Sequence, residues 1–487
     1  MTAEREQAVV AGVWTQLSIG GTWRDARGER TFPVEDPSTR QVLAEVADAG
    51  PEDGLDAVAA AAGAQDGWAA HPPRERGEIL RRAFETIVER TEDLALLMTL
   101  EMGKPLAESR AEIAYAAEFF RWFSEEAVRV AGHFAVAPDG RGRLLTMRQP
   151  VGPCLLITPW NFPMAMATRK IGPAVAAGCT MILKPASQTP LSALALAQIL
   201  EECGLPPGVL NLLTTSSPGA VTEPILSDGR VRKLSFTGST VVGRTLIAQS
   251  AEQVLRVSME LGGNAPFIVF EDADLDAAVE AALLAKMRNI GEACTAANRF
   301  HVARPLAGEF SGRLAERLGG MRLGRGTEDG VQVGPLIDAS AVEKVSGLVR
   351  DALDRGAKAI VGAEAGPGPG YFYRPTVLAD VPPGSRVLRE EIFGPVAPVA
   401  SFGSEEEAIA AANDTEFGLV AYVFTRDLKR ALRVVEGLRT GMVGLNQGFV
   451  SNPAAPFGGV KQSGFGREGG REGIEEYLDV KYVAVNL

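Results

Sequence analysis

Histidine, cysteine and positive charge are all in short supply in this chain of 487 residues. The three histidines, His71, His133 and His301, lie far apart and form no HExxH or other metal-ligand spacing. A Cys–His pair would have to be assembled by folding, and His301 is the histidine nearest in sequence to Cys294. The four cysteines are Cys154, Cys179, Cys203 and Cys294. No two of them have CxxC spacing, which excludes that zinc or redox motif, and in a reducing compartment all four are expected as thiols. A net charge of −12 and a pI near 5.1 exclude a broad nucleic-acid footprint or an anionic membrane surface as partner. They leave room for a small anionic substrate, which needs only one or two arginines. No apolar run approaches the ~18 residues of a membrane helix. The N-terminal stretch MTAEREQAVVAGVWTQ has the pattern of neither a signal nor a transit peptide, so a cytoplasmic chain is expected.

What is present is an ordinary globular composition, 46% hydrophobic and 23% charged, on a chain long enough for about three units of ~150 residues. Residues 17–48 alternate and are rich in turn formers, which predicts hairpins. Residues 51–132 carry apolar side chains at three- and four-residue spacing, which predicts helices. Residues 133–150 form an extended arm. Short apolar strands such as VGPCLLITP and CTMILKPA then alternate with helices such as PLSALALAQILEECG. That alternation means βαβ units, a parallel sheet, and ligands at the carboxyl ends of its strands. It starts again after residue 259, giving a second α/β unit. The tail GIEEYLDVKYVAVNL ends as an alternating strand that could pair with the arm, within or across subunits.

Two glycine patterns bear on phosphate binding. A literal GxGxxG at Gly464, Gly466 and Gly469 follows no hydrophobic strand and reads as a flexible turn. FTGSTVVG is better placed, between a strand and a helix. Gly238, Ser239 and Thr240 there would present backbone N–H groups to an anion, or Ser239 would simply cap the helix.

Seven motifs occur in order: TPWNFP (158–163), KPASQTP (184–190), FTGST (236–240), MELGGNAP (259–266), GEACTAANR (291–299), EEIFGPV (390–396) and PFGGVKQSGFGREG (456–469). Together, over nearly the whole chain, they resemble the NAD(P)-dependent aldehyde dehydrogenase superfamily, and within it the succinate-semialdehyde dehydrogenases. The resemblance implies an α/β fold with a Rossmann-like cofactor domain (1–132 and 151–258) and an α/β catalytic domain (259–445). It also implies an oligomerisation arm (133–150 and 470–487) and a returning segment (446–469) that closes the substrate site. A homodimer or homotetramer is implied with it.

By the same resemblance Cys294 is the nucleophile. Its thiolate would add to an aldehyde, and loss of hydride to a nicotinamide would leave a thioester. Glu260 matches the base that activates water for thioester hydrolysis, and partial burial beside Met259 and Leu261 would raise its pKa. Asn161, with the backbone N–H of Cys294, matches the oxyanion donor. Trp160, Lys184, Gly238, Ser239, Leu261, Glu391 and Phe393 match cofactor-contacting positions. Ser187 stands where many NAD-preferring relatives have a glutamate that repels a 2′-phosphate. With Lys184 nearby, NADP is the preferred cofactor and NAD the second. Arg169, Arg288 and Ser451 match positions that hold a substrate's far carboxylate; the plainer reading of Arg288 is a cation at the C-terminus of a helix. Glu292, two residues before the cysteine, would raise its pKa if it pointed inward, and is expected to point away or to pair with a cation. Cys294 has no thiol two residues on, so a local disulfide is excluded.

The expected reaction is oxidation of succinate semialdehyde or a similar carboxylated aldehyde. Glutarate semialdehyde or an aminoaldehyde is the sibling alternative, and the presence of Glu260 as a base for water argues against a CoA-acylating variant. A cofactor-free cysteine esterase would use the same thiolate, donor and base. A binding protein that has lost catalysis would have no need to keep Cys294, Glu260 and Asn161 together.

Overall fold

The computed structural model describes residues 2–486. An eight-stranded sheet has at its centre Arg256–Glu260, Lys233–Thr237, Cys154–Ile157, Met181–Lys184 and Leu210–Leu212, in that spatial order and all parallel. Every residue of Cys154–Ile157 and Met181–Lys184 is buried, because helices cover both faces of the sheet; this is why these strands read as unbroken apolar runs. The helix Pro163–Ala177 is buried at all of its residues, between the sheet and the helix Leu106–Glu126. Proline opens this helix and the helix Pro190–Glu202, where its missing N–H costs nothing.

A seven-stranded sheet forms the second unit. Its order is Lys358–Val361, Thr376–Ala379, Val396–Phe402, Ala297–Ala303, Ala265–Val269, Val420–Phe424 and Met442–Leu445, parallel except at the first strand. The hairpins foreseen in residues 17–48 are Leu17–Ile19 with Thr22–Arg24 and Thr31–Asp36 with Gln41–Ala47. The tail strand Leu478–Val485 pairs antiparallel with Arg143–Pro150 of its own chain, from Leu478↔Pro150 to Val485↔Arg143.

Two sequence expectations are corrected by this architecture. The first sheet runs through Glu260, so the passage between units falls at 261–264 rather than after residue 258. The turn at Gly464 is a short strand, Gly464–Phe465, that pairs antiparallel with Met259 and Glu260 at the edge of the first sheet. A Cβ on Gly464, which has φ +108°, would lie 1.9 Å from the Met259 carbonyl oxygen. Glycine is required there by the close approach of two strands, not for flexibility.

Among the described residues no helix is long and apolar enough to cross a membrane, and no cluster of three His, Cys, Asp or Glu side chains could hold a metal.

Candidate active site

The parallel strands of the first sheet end at Ile157, Lys184, Thr237 and Glu260, and the chain segments leaving them face the second unit. Between them lies a cavity of about 220 Å³. Of the residues singled out in the sequence, Trp160, Asn161, Arg169, Gly238, Ser239, Glu260, Leu261, Arg288, Cys294, Glu391, Phe393 and Ser451 line it. Lys184 and Ser187 do not; they lie at the neighbouring strand end, where Thr158 N–H donates to the Lys184 carbonyl at 3.2 Å.

Cys294 reaches the cavity through a constrained loop. After the helix Leu275–Met287, Asn289, Ile290 and Gly291 have φ of +53°, +61° and +78°. A β-branched residue in the left-handed region is strained and persists only where surrounding contacts over-determine it. Those contacts are present. Glu108 Oε2 accepts from Asn289 N–H at 2.5 Å, and Asn289 Nδ2 donates to the carbonyls of Asn161 and Glu292, both at 3.0 Å. Beneath the loop, a Cβ on Gly263 would lie 2.4 Å from the Cys294 carbonyl oxygen, so glycine is required in the linker between the units.

The Cys294 side chain is half-buried and makes no disulfide. Burial pushes its thiol up to about 12; Arg169 and Arg288 oppose that rise, and Glu260 and Glu391 add to it. His301 is buried in the strand Ala297–Ala303 with Nε2 unpartnered, so it forms no pair with the cysteine. The backbone N–H of Cys294 has no acceptor among the described residues. Asn161 Nδ2 donates one hydrogen to the Glu292 carbonyl at 2.9 Å and has the other free. Two donors on residues that line the same cavity as the sulfur therefore remain unspent among the described residues, as an oxyanion site requires.

Glu292 points away from the cysteine, the first of the two expected arrangements, and among the described residues no cation pairs with it. Its carboxyl is fully buried away from the cavity, with Oε1 accepting from Ile337 N–H at 3.1 Å and Oε2 unpartnered. Burial holds its pKa well above the usual range, which favours the neutral carboxyl.

Glu260 ends its strand with 3% of its surface exposed, and both carboxyl oxygens lack a partner. Burial raises its pKa well above normal, and the negative charge of Glu468 raises it further. A buried carboxyl that faces a cavity without a partner is an unusual arrangement for structure alone, and one suited to a base.

Glu468 was not singled out in the sequence, nor was Lys170, which donates to it. Against the upward push of burial, Lys170 and Arg169 hold the Glu468 carboxyl below its ordinary range. Arg169 is thus already engaged: Nη2 donates to Tyr115 Oη at 2.6 Å, Nη1 lies 3.5 Å from Glu468 Oε2, and the guanidinium stacks over Phe457 at 4.1 Å. Arg288 is not. It occupies the cap position of its helix, as the plainer reading held, but its side chain extends over the rings of Phe162 (4.6 Å) and Phe449 (4.8 Å). Among the described residues its side chain makes one hydrogen bond, to Ser451 Oγ at 3.4 Å, and no carboxylate pairs with it.

Residues that could hold a dinucleotide lie on the cavity wall and at the strand end beside it. Lys184 is 6% exposed, its ammonium makes no hydrogen bond or ion pair among the described residues, and it is lowered to about 8 by burial. Such a buried cation calls for an electron-rich partner, and Ser187 is three residues on. Ser239 caps the helix Thr240–Ser250, accepting from Val242 N–H at 3.4 Å, and the N-terminus of that helix faces the cavity. The Gly238 N–H, expected to be free for an anion, is spent on the Glu260 carbonyl at 3.0 Å. Glu391 accepts from Gly263 N–H at 2.9 Å, and Phe393, at φ +54°, meets Trp160 edge to face at 5.4 Å.

A model of the aldehyde dehydrogenase family matches residues 23–483. The chain belongs to the aldehyde dehydrogenase family. It is 58% identical over 444 residues to a succinate-semialdehyde dehydrogenase of Paenarthrobacter nicotinovorans, covering 91% of this chain and 99% of that one. It is 50% identical over 472 residues to the succinate-semialdehyde dehydrogenase [NADP(+)] GabD of Escherichia coli K12, covering 97% and 98%. A crystal structure of succinate-semialdehyde dehydrogenase from Burkholderia pseudomallei superimposes with a TM-score of 0.96 at 50% identity, covering 98% of each chain. The cavity is lined by residues of both α/β units.

Proposed function

We propose that this protein oxidises succinate semialdehyde to succinate with NADP, accepting NAD less well. The observation that carries the substrate reading is Arg288. Its guanidinium lies at the wall of a cavity lined by rings, held by one long hydrogen bond and paired with no carboxylate. A cation so placed favours an anionic ligand, and a planar guanidinium suits a carboxylate. Ser451 adds a hydroxyl, and Arg169, partly neutralised by Glu468, adds positive potential rather than a free fork.

Within this reading Cys294 adds to the aldehyde carbon, and its own N–H and Asn161 receive the oxygen as it becomes anionic. Arg169 and Arg288 favour the thiolate. NADP, when bound, would supply a nicotinamide able to accept hydride from the carbon held on Cys294. Glu260 then takes a proton from water, the resulting hydroxide adds to the thioester carbon, and the Cys294 thiolate leaves as the acid forms. Lys184 and Ser187 would hold the ribose phosphate, the N-terminus at Ser239 the pyrophosphate, and Glu391 and Phe393 the nicotinamide end. The units read in the sequence take matching roles: the first sheet binds cofactor, the second carries Cys294, and the arm, whose Phe134, Val136, Val480 and Tyr482 are exposed, joins subunits of a cytoplasmic homo-oligomer.

Reduced nicotinamide formation from succinate semialdehyde, glutarate semialdehyde, an aminoaldehyde and butanal, with each cofactor, tests the reading. The highest kcat/KM is expected for succinate semialdehyde with NADP; equal values for butanal defeat the carboxylate assignment, and ester turnover without aldehyde oxidation favours the esterase. Arg288→Ala is expected to raise KM for succinate semialdehyde about 10- to 100-fold, the worth of one lost charged hydrogen bond, and to leave butanal nearly unchanged. Ser187, half-buried with Oγ donating to Gln188 Oε1 at 3.3 Å, carries no charge to repel a 2′-phosphate, as a carboxylate there would. Ser187→Glu is expected to lower kcat/KM with NADP by at least about 10-fold relative to NAD, because one charged contact becomes a repulsion. An unchanged ratio removes Ser187 from cofactor choice.

A further inference from the structure

Behind the cysteine loop the side chain of Asn289 joins the two carbonyls on which the oxyanion donors depend. Its Nδ2 spends one hydrogen on the Asn161 carbonyl and the other on the Glu292 carbonyl, both at 3.0 Å. The Asn161 carbonyl also accepts from Lys104 Nζ at 2.8 Å, and the Glu292 carbonyl also accepts from Asn161 Nδ2 at 2.9 Å. Each of these two carbonyl oxygens thus has both lone pairs occupied, while Asn289 Oδ1 has no partner among the described residues. All four residues involved are buried. Asn289 itself is at φ +53°, a conformation asparagine tolerates better than most residues. Its backbone N–H is held by Glu108, so the side chain has little freedom to turn away.

We infer that Asn289 is a positioning residue for aldehyde oxidation: it ties the Cys294 loop to the Asn161 turn and so fixes the Asn161 amide relative to the cysteine sulfur and N–H. This rests on the reading of Asn161 and Cys294 given above. Without the tie, the Glu292 carbonyl becomes an acceptor with a free lone pair on a strained loop. The Asn161 amide then follows that loop instead of a fixed point.

The test is a double-mutant cycle on first-turnover NADPH formation by the full-length enzyme. Asn161→Ala is expected to slow it about 100- to 1,000-fold, as loss of an oxyanion donor does. Asn289→Gly keeps the left-handed backbone and removes the tie; it is expected to slow the same step about 10- to 100-fold, the cost of a misplaced catalytic group. KM for the aldehyde and the affinity for NADP are expected to stay as in the parent. The double variant is expected to be no slower than Asn161→Ala alone, since Asn289 acts only through Asn161. Losses that multiply, or an Asn289→Gly rate equal to the parent, overturn the positioning role. An Asn161→Ala rate equal to the parent instead overturns the oxyanion reading beneath it. If Asn289→Gly does not fold, Asn289→Asp carries the same cycle, because it keeps the shape and at most one of the two donor bonds.

Discussion

Cys294→Ala is expected to lower aldehyde-dependent NADPH formation by more than about 10,000-fold, because a covalent route has no substitute once its nucleophile is gone. NADP affinity is expected to persist, since Lys184, Ser187 and the helix starting at Thr240 lie on other elements. Fold stability is expected to change by less than about 1 kcal/mol, since the half-buried sulfur makes no hydrogen bond and no disulfide. The same variant settles which thiol is reactive. Cys154 Sγ donates to the Gly152 carbonyl at 3.2 Å, Cys179 Sγ donates to the Tyr477 carbonyl at 3.4 Å, and both, like Cys203, are buried. Iodoacetamide is therefore expected to label one site in the folded parent and none in Cys294→Ala. Burial raises the Cys294 thiol to about 12, so the thiolate fraction is small at neutral pH and the labelling rate of the free enzyme is expected to climb into the alkaline range without a plateau near neutrality. A fast thiol surviving in the variant, or turnover within tenfold of the parent, would remove Cys294 from the centre of the chemistry.

The residues named by motif were legible because each sits on a strand end or loop whose local pattern is distinctive: Asn161 after Cys154–Ile157, Ser239 after Lys233–Thr237, Glu260 at the end of Arg256–Glu260. What the sequence concealed depends on contacts between distant segments. Lys170 and Glu468 are 298 positions apart, and nothing local in TRK or GREGG marks them as partners that set the charge around Glu260. Glu292 was expected to point away from the cysteine or to pair with a cation, but nothing in GEAC shows that what receives it is the N–H of Ile337, 45 residues away. Gly238 was read from local helix-start chemistry, and the carbonyl that claims its N–H belongs to the neighbouring strand. The tail strand was visible as alternation, but only the fold could supply Arg143–Pro150 as its partner. Both α/β units were predictable from periodicity, whereas the boundary between them was two residues off because strand pairing continues through Glu260.

Glu260→Gln is expected to separate the two halves of the reaction. The amide keeps the shape of the side chain but cannot accept a proton from water, and neither oxygen of the parent carboxyl holds a partner that the change would disturb. Acylation of Cys294 is expected to proceed, giving close to one NADPH per active site in the first turnover. Steady-state turnover is expected to fall about 100- to 10,000-fold, the usual worth of a general base. The pH dependence has a definite sign. Burial, and then the charge of Glu468, raise the Glu260 pKa, so the carboxyl keeps its proton at pH values where an exposed glutamate has lost it. The base is the ionised form; in the parent, steady-state turnover is expected to be low on the acid side and to rise with pH through a pKa well above that of an ordinary glutamate. Glu260→Gln is expected to abolish that rise while leaving the first turnover intact. Loss of the burst together with the steady state would place Glu260 before thioester formation, as acceptor of the Cys294 proton, because the same unpartnered carboxyl would then be needed to make the nucleophile rather than to clear the product.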